Sequence, residues 1–259
     1  MAQTLNVAVV QTHLFWENPE QNRINLLEKL NQISSEIDLI VLPEMFNSGF
    51  TMNAKSVAET MDGETVSWMI ALAKEKQAAI TGSLVIKASD DFFNRLLFVY
   101  PDGTILKYDK KHTFTLAGEQ NVYSAGKERL LVDYKGWKIC PLVCYDLRFP
   151  VWSRNDTDYD LLLYVANWPK VRISAWDTLL KARAIENMTY CIGVNRVGLD
   201  GNGHEYSGHS AAYDVLGNRL DTALVTKDAI EIVTLDKSHI EKYRHKLGFL
   251  NDRDDFILK

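Results

Sequence analysis

The residues best suited to chemistry lie around Cys144, in the stretch ICPLVCYDLRFP at residues 139–150. Cys144 ends a β-branched and apolar run and precedes a polar turn, a position that exposes the nucleophile of other hydrolases at a strand end. A thiolate there would attack a carbonyl carbon readily. The alternative is a structural thiol, because cysteine is among the most buried residue types. Cys140 fits that alternative well.

Two carboxylates and a basic cluster could serve such a nucleophile. Glu44 follows the apolar run and the proline of LIVLPEMF, so it is delivered to the carboxyl end of a strand, where α/β proteins tend to place their sites. Glu119 follows a glycine in TLAGEQNVYSAG, and LKYDKKHTF contains three lysines and a histidine. Taken singly, each has an ordinary interpretation as a turn acid or a solvated basic run.

Strands dominate the elements that would position these side chains. Helical patterns lie between some strands, in NPEQNRINLLEKLNQIS with Asn18 as N-cap and Pro19 at the first helical position, and in residues 65–76 and 174–187. Apolar runs bounded by turn residues predict strands at 5–10, 39–42, 79–86, 96–100, 130–134, 137–143, 161–165, 190–194, 211–215 and 230–235. The sequence therefore predicts an α/β fold.

Two hairpins make a purely parallel sheet a poor description. FVYPDGTIL and LLVDYKGWKI would turn at Asp102-Gly103 and Lys135-Gly136. The segment GLDGNGHEYSG, residues 198–208, is the most loop-like, and it contains no GxGxxG that opens a helix, so a dinucleotide site has little support. Nothing resembles a linker, and we predict one domain over residues 1–259.

Composition excludes several classes of function. The net charge of -5 comes from scattered acids and bases, which gives no electrostatic footprint for nucleic acid. The sequence has no basic leader and no apolar run of about 18 residues, so we expect a cytoplasmic protein that does not cross a membrane. Its 3 cysteines lack zinc-ligand spacing and are expected to be free thiols, with no metal site.

Taken together, LPEMF, KYDKKHTF, CYDLRFP, ANWP and RAIEN resemble the nitrilase superfamily of carbon–nitrogen hydrolases over essentially the whole chain. The resemblance implies a four-layer α-β-β-α sandwich, a homodimer, and no metal or organic cofactor. It implies a catalytic set of Glu44, Lys111, Cys144 and Glu119. Lys111 is selected over Lys110 because it directly precedes the histidine.

The resemblance also implies roles for these residues in amide hydrolysis. Cys144 would attack the carbonyl, and Glu44 would take the thiol proton and later pass a proton to departing ammonia. Lys111 and the backbone N–H of Tyr145 would stabilise the oxyanion. Glu119 would orient Lys111 or the water that hydrolyses the thioester.

Other functions remain open at this point. One is a Cys–His dyad that pairs Cys144 with His112 or His209. Others are another short-chain aliphatic amidase, an N-carbamoyl amidohydrolase of the same superfamily, and a non-catalytic binding protein on this fold.

The residues after the nucleophile favour an amide substrate. Members that cleave nitriles typically have Trp-Glu there, whereas this sequence has Tyr145 and Asp146. CYDLRFP and EMFNSGFTMN are most similar to the omega-amidase branch. That branch hydrolyses the terminal amide of short 2-oxo dicarboxylic acid monoamides, such as 2-oxoglutaramate and 2-oxosuccinamate.

Such a substrate carries a carboxylate, which an acidic protein must hold with a local cation. Arg148 and Arg172 are the candidates, the alternatives being an ion pair of Arg148 with Asp146 and a solvent-exposed Arg172. Aromatic side chains would form an apolar wall against longer acyl chains, with core packing as the alternative. The predicted substrate-binding residues are Phe46, Tyr145, Arg148, Phe149, Trp168 and Arg172.

Overall fold

A computed structural model describes residues 4–221 and 224–257 of the chain. The strands are β1 (Thr4–Gln11), β2 (Leu39–Val41), β3 (Ala79–Ala88), β4 (Asp91–Val99), β5 (Ile105–Asp109), β6 (Val132–Tyr134), β7 (Trp137–Val143), β8 (Leu161–Ala166), β9 (Tyr190–Asn195), β10 (Val197–Leu199), β11 (Glu205–Tyr213), β12 (Leu224–Val225) and β13 (Ala229–Asp236). The α-helices are α1 (Pro19–Leu30), α2 (Ala54–Val57), α3 (Glu64–Lys76), α4 (Ile173–Asn187) and α5 (Lys237–Leu247). The two ends of the predicted 1–259 domain lie outside the described residues.

The strands form two mixed sheets. One has the order β13-β1-β2-β3-β4-β5, and the other has the order β10-β11-β9-β8-β7-β6, with β12 paired to β11. Parallel pairing joins β1 to β2, β2 to β3, β7 to β8 and β8 to β9. Both predicted hairpins are confirmed, since β4 pairs antiparallel with β5 and β6 pairs antiparallel with β7.

Side-chain alternation in the first sheet separates two hydrophobic cores. Val7 and Val9 pack into the core that the two sheets share, whereas Ala8 and Val10 pack into the core beneath α1 and α3. On the outer face of the second sheet, α4 lies so close to β9 that a Cβ on Gly193 would come within 2.4 Å of Leu180. The layers are therefore α-β-β-α, as predicted.

Helix α1 begins as the sequence predicts. The Asn18 side chain accepts a hydrogen bond from the Gln21 backbone N–H at 3.1 Å, and Pro19 occupies the first turn, where its missing N–H is harmless. Helix α5 was not predicted, because its sequence is polar on most sides. Asp236 is its N-cap residue, and the Asp236 carboxylate accepts a hydrogen bond from the Ser238 N–H at 2.9 Å.

The prediction of a loop over 198–208 was partly wrong. The end of β10 and the start of β11 lie inside it, with Val197 paired to Ser207 and Leu199 paired to Glu205. These strands are rich in glycine and polar residues, so their pairing depends on neighbouring strands rather than on local propensity. Over the part of the chain that is described, no helix is both long enough and apolar enough to cross a membrane.

Candidate active site

Three strands bring the reactive side chains to one edge of the sandwich. Glu44 lies three residues after β2, Lys110 directly follows β5, and Cys144 directly follows β7. In the first sheet β2 and β5 run in the same direction, so their carboxyl ends meet at the same edge. The sandwich then places the end of β7 opposite them.

Glu44, Lys110 and Glu119 form a buried cluster of charges. The Lys110 Nζ lies 2.9 Å from Glu44 Oε1, and it lies 3.0 and 2.9 Å from the two carboxylate oxygens of Glu119. The three side chains are at most 1 % exposed. Burial of two carboxylates with a single ammonium requires that each charge be hydrogen-bonded, which this arrangement achieves.

The prediction that Lys111 is the active-site lysine is corrected by this geometry. The Lys111 ammonium lies over the Trp152 ring, 5.3 Å from its centroid, in a separate surface cavity. Adjacent side chains at the end of a strand point in opposite directions, so only one of the two lysines can face the site. Lys110 is that lysine, because it sits opposite Asn94 of β4, with its backbone N–H 3.0 Å from the Asn94 carbonyl oxygen.

Two hydrogen bonds from Asn167 fix Glu44 from the second sheet. The Asn167 backbone N–H donates to Glu44 Oε2 at 2.8 Å, and its side-chain amide donates to the Glu44 carbonyl oxygen at 2.5 Å. Asn167 belongs to the ANWP segment, directly after β8. This segment therefore ties the carboxylate to the same sheet that carries Cys144.

The surroundings of the Cys144 thiol favour its protonated form. Burial raises its pKa well above the ordinary value, the Glu44 charge and hydrogen bond raise it further, and the Lys110 charge offsets part of this rise. Burial alone would lower the pKa of Lys110, but Glu119 and Glu44 raise it above its usual value. These shifts favour the ammonium form of Lys110 and the thiol form of Cys144, with the Glu44 carboxylate beside both.

Cys144 occupies a tight bend between β7 and a short 3₁₀ helix over Cys144–Arg148. Its φ is +45°, an unusual value for a residue with a side chain, which costs about 1–2 kcal/mol. Asp146 holds the bend by accepting hydrogen bonds from the Val143 N–H at 3.0 Å and the Tyr108 hydroxyl at 2.7 Å. This is the strand-end position that the sequence predicts for a nucleophile.

The histidines of the alternative dyad lie elsewhere. His112 Nδ1 is 2.8 Å from Asp146, and its ring stacks on Phe149 at 3.6 Å between centroids. His209 Nδ1 is 3.0 Å from Asp177. Neither histidine lines the cavity that contains Cys144, so the geometry gives no support to a Cys–His dyad.

A cavity of about 550 Å³ opens above Cys144, Glu44 and Lys110. Four predicted substrate-binding residues line it: Tyr145, Arg148, Trp168 and Arg172. The Arg148 guanidinium lies over Trp168 at 4.9 Å, and that of Arg172 lies over Phe114 at 5.2 Å. Within residues 4–221 and 224–257, neither arginine forms an ion pair with a carboxylate, and Asp146 is bonded to other partners.

Two predicted wall residues are wrong. Phe46 is fully buried beneath α3, in contact with Trp68, and it packs so closely on β3 that a Cβ on Gly82 would lie 2.8 Å from its ring. Phe149 stacks on His112 beside Lys111 and lines the separate surface cavity. An aromatic side chain near a reactive residue points into the core or into the site, depending on the local backbone conformation. The sequence does not reveal which of the two it is.

Sequence reasoning missed several residues of the site. Asn94 and Asn167 hydrogen-bond to Glu44, and Phe114, Trp16 and Tyr206 line the cavity. Of these, Asn167 lies in the ANWP segment and Phe114 ends KYDKKHTF, so both lie in segments with a signal. The others lie in strands and loops whose sequences have no distinctive pattern, and only the fold brings them together.

The family of the chain is decided by comparison with known proteins. A family model described as carbon-nitrogen hydrolase matches residues 6–245. This chain belongs to that family. It is 46% identical over 255 residues to the omega-amidase YafV of Yersinia enterocolitica, with 98% of this chain and 99% of that protein covered.

Two further relatives agree with this assignment. A 2-oxoglutaramate amidase of Bacillus subtilis is 32% identical over 219 residues, covering 83% of this chain and 84% of its own length. The crystal structure of XC1258 from Xanthomonas campestris, a CN-hydrolase superfamily protein with an arsenic adduct in its active site, is 42% identical. It superposes with a TM-score of 0.97 over 100% of both chains, which confirms the predicted fold.

Proposed function

We propose that this carbon–nitrogen hydrolase is an omega-amidase, which releases ammonia from the terminal amide of short 2-oxo dicarboxylic acid monoamides such as 2-oxoglutaramate and 2-oxosuccinamate. The observation that carries the proposal is the arrangement at one cavity: Cys144 and the buried Glu44–Lys110–Glu119 cluster lie near two arginines that have no carboxylate partner in the part of the chain that the structure describes. The names of the relatives in Yersinia enterocolitica and Bacillus subtilis support the same substrate class.

The proposed first half-reaction forms a thioester. As the Cys144 sulfur attacks the amide carbon, its proton passes to Glu44. The oxyanion is stabilised by the Lys110 ammonium and the Tyr145 backbone N–H, and removal of one such donor typically costs about 3–4 kcal/mol of barrier. Glu44 then returns the proton to the nitrogen, the C–N bond breaks, and ammonia leaves.

The second half-reaction uses water as the nucleophile. Glu44 accepts a proton from water as it attacks the thioester carbon. The C–S bond then breaks and Glu44 passes that proton to the departing sulfur, which returns the Cys144 thiol and releases a 2-oxo dicarboxylic acid. Glu119 accepts two hydrogen bonds from the Lys110 ammonium, at 3.0 and 2.9 Å, and a third from the Phe114 N–H at 2.5 Å. Its role is therefore to orient Lys110 in both steps.

The substrate carboxylate is proposed to bind Arg148 and Arg172. Trp168 supports this role, because it lies beneath the Arg148 guanidinium and its indole N–H donates to the Arg172 carbonyl oxygen at 2.8 Å. A buried, rigid indole that contacts both arginines limits the positions they adopt. The cations would select substrates with a carboxylate over neutral amides.

We expect Arg148→Ala and Arg172→Ala each to lower kcat/KM for 2-oxoglutaramate by about 10–100-fold, the value of one charge-assisted hydrogen bond. With neutral butyramide, the same substitutions should change kcat/KM by less than about 3-fold. The matched control is Lys170→Ala, which removes an exposed cation that pairs with Glu205 at 2.8 Å outside the cavity. Equal losses on both amides would reject the carboxylate site.

A substrate panel separates the proposed function from its alternatives. Ammonia release is measured with 2-oxo acid monoamides, neutral short amides, carbamoyl amino acids and a nitrile. The proposal expects the 2-oxo acid monoamides to give the highest kcat/KM. A preference for neutral amides would indicate a short-chain aliphatic amidase, a preference for carbamoyl compounds would indicate an N-carbamoyl amidohydrolase, and no turnover would indicate a binding protein.

We also propose that residues 1–259 act as one domain and that the protein works in the cytoplasm as a homodimer. The three free cysteines, Cys140, Cys144 and Cys191, support a reducing compartment. Exposed apolar side chains support self-association, because apolar surface is commonly covered at subunit contacts. Two of these exposed side chains, Val151 and Phe256, line the same surface cavity. Light scattering after size exclusion would give twice the chain mass if the dimer forms.

A further inference from the structure

Asn94 on β4 lies directly opposite Lys110, the residue that follows the antiparallel partner strand β5. The Lys110 backbone N–H donates to the Asn94 carbonyl oxygen at 3.0 Å. At the next pair of the same ladder, Arg95 and Asp109 form a two-pronged ion pair with distances of 2.6 and 2.9 Å. Because Arg95 is only 4% exposed, this pair fixes the register of β4 against β5 and thereby the place of Asn94 beside Lys110.

The Asn94 side chain links the two carboxylates of the site. Its Nδ2 lies 2.8 Å from Glu44 Oε1 and 3.3 Å from Glu119 Oε1. The opposite orientation of the amide would place an oxygen against two carboxylate oxygens, so the donor must face them. Among the described residues, Asn94 is 1% exposed and its Oδ1 has no hydrogen-bond partner.

Both hydrogen bonds of the Asn94 amide go to carboxylates of the site rather than to the backbone of a neighbouring strand. These contacts point to a role of Asn94 in the site.

The other groups around Glu44 explain why a further donor matters. Lys110, Glu119, Cys144, Tyr123 and Tyr206 all act on Glu44 or are acted on by its charge. Only Lys110 is a cation, and it is shared between two carboxylates. The Asn94 amide adds a hydrogen-bond donor to both carboxylates, beside those that the shared lysine supplies.

We propose that Asn94 is a positioning residue that holds the Glu44 carboxylate in place beside Cys144, by donating one amide group to Glu44 and Glu119 together. The inference rests on the proposed function, because it takes Glu44 as the base. Asn94 does not line the substrate cavity and acts only through the carboxylates.

The test is the pH dependence of kcat/KM for Asn94→Ala. Loss of the donor disfavours the ionised carboxylate, so the acid-side midpoint should move to higher pH by about one unit. Because the Glu44 carboxylate is no longer held, kcat should fall about 10–100-fold, and KM should change by less than about 3-fold. If Asn94→Ala does not fold, Asn94→Ser is measured by the same criteria.

Asn155→Ala is the matched control. Asn155 is also a fully buried asparagine, and its amide donates to the carbonyl oxygens of Tyr159 and Asn187 at 3.0 Å, away from the site. This control should lower the melting temperature and leave the acid-side midpoint unchanged. An unchanged midpoint and kcat in Asn94→Ala, or equal shifts in both variants, would overturn the proposal.

A second measurement does not depend on the substrate. The rate at which iodoacetamide alkylates Cys144 is followed against pH in the wild type and in Asn94→Ala. As the pH is lowered, the alkylation rate should begin to fall at a higher pH in the variant than in the wild type. The reason is that the pair formed by Cys144 and its neighbouring carboxylate takes up its second proton at that higher pH. Should the wild type hydrolyse no amide, the proposed function fails, whereas this alkylation profile still decides the role of Asn94.

Discussion

Cys144→Ala should lower kcat by at least about 10⁴-fold, because it removes the nucleophile that forms the thioester. The variant should fold, since the residue is half-buried and alanine removes only the hydrogen bond between the thiol and Glu44. Ammonia release at saturating 2-oxoglutaramate measures the loss, and circular dichroism checks the fold.

Cys140→Ala is the control for this prediction. Cys140 lies on β7, is fully buried in the shared core, and has its pKa raised to about 12, chiefly by burial. It should lose about 1 kcal/mol of stability through the small cavity and keep its kcat. Similar residual activity in both variants would remove Cys144 as the nucleophile.

Lys110→Met should lower kcat by about 10³-fold, whereas Lys111→Ala should change it by less than about 3-fold. Without the Lys110 ammonium, Glu44 and Glu119 face each other in a buried site, and one of them must take up a proton. The oxyanion also loses its cation. Methionine keeps most of the volume of the lysine side chain, which limits the accompanying loss of packing.

The activities of the two lysine variants decide which lysine belongs to the active site. Among the described residues the Lys111 ammonium contacts the Trp152 ring, a cation–π interaction worth about 0.5–1 kcal/mol. Steady-state kinetics and melting temperatures are measured for both variants. A folded Lys111→Ala variant without activity, together with an active Lys110→Met, would restore the assignment made from the sequence.

The sequence predicts much of this fold because the elements have strong local signals. Helix α1 has its cap and proline, and the hairpin at Lys135-Gly136 has positive φ angles of 48° and 80° at its two turn residues. Strands such as β8 are apolar throughout because both faces of their sheet are covered. Helix α5 has no comparable apolar face and escaped prediction.

The site is predicted less completely, and the reason is side-chain direction. Glu44 and Cys144 were placed correctly at the cavity, because each follows an apolar strand that ends at the same edge. The choice between Lys110 and Lys111 depends on which one continues the side-chain alternation of β5 toward the site. Asn94 gives no signal at all, since its neighbour Lys110 is brought to it by strand register alone.

The central claim is that Cys144 carries the acyl group of a terminal amide during turnover, and mass spectrometry of the quenched enzyme tests it most directly. Glu119→Gln is mixed with 2-oxoglutaramate, quenched in acid within the first turnovers, and digested. We expect this substitution to slow the attack of water on the thioester more than the attack of Cys144, because water is held only by hydrogen bonds whereas Cys144 is fixed by the chain. The variant should therefore accumulate an adduct on the peptide that contains Cys144. The predicted mass increase is that of 2-oxoglutaramate minus ammonia, with one ammonia released per adduct. Ammonia release without any adduct on Cys144, or an adduct on a different residue, would contradict the account.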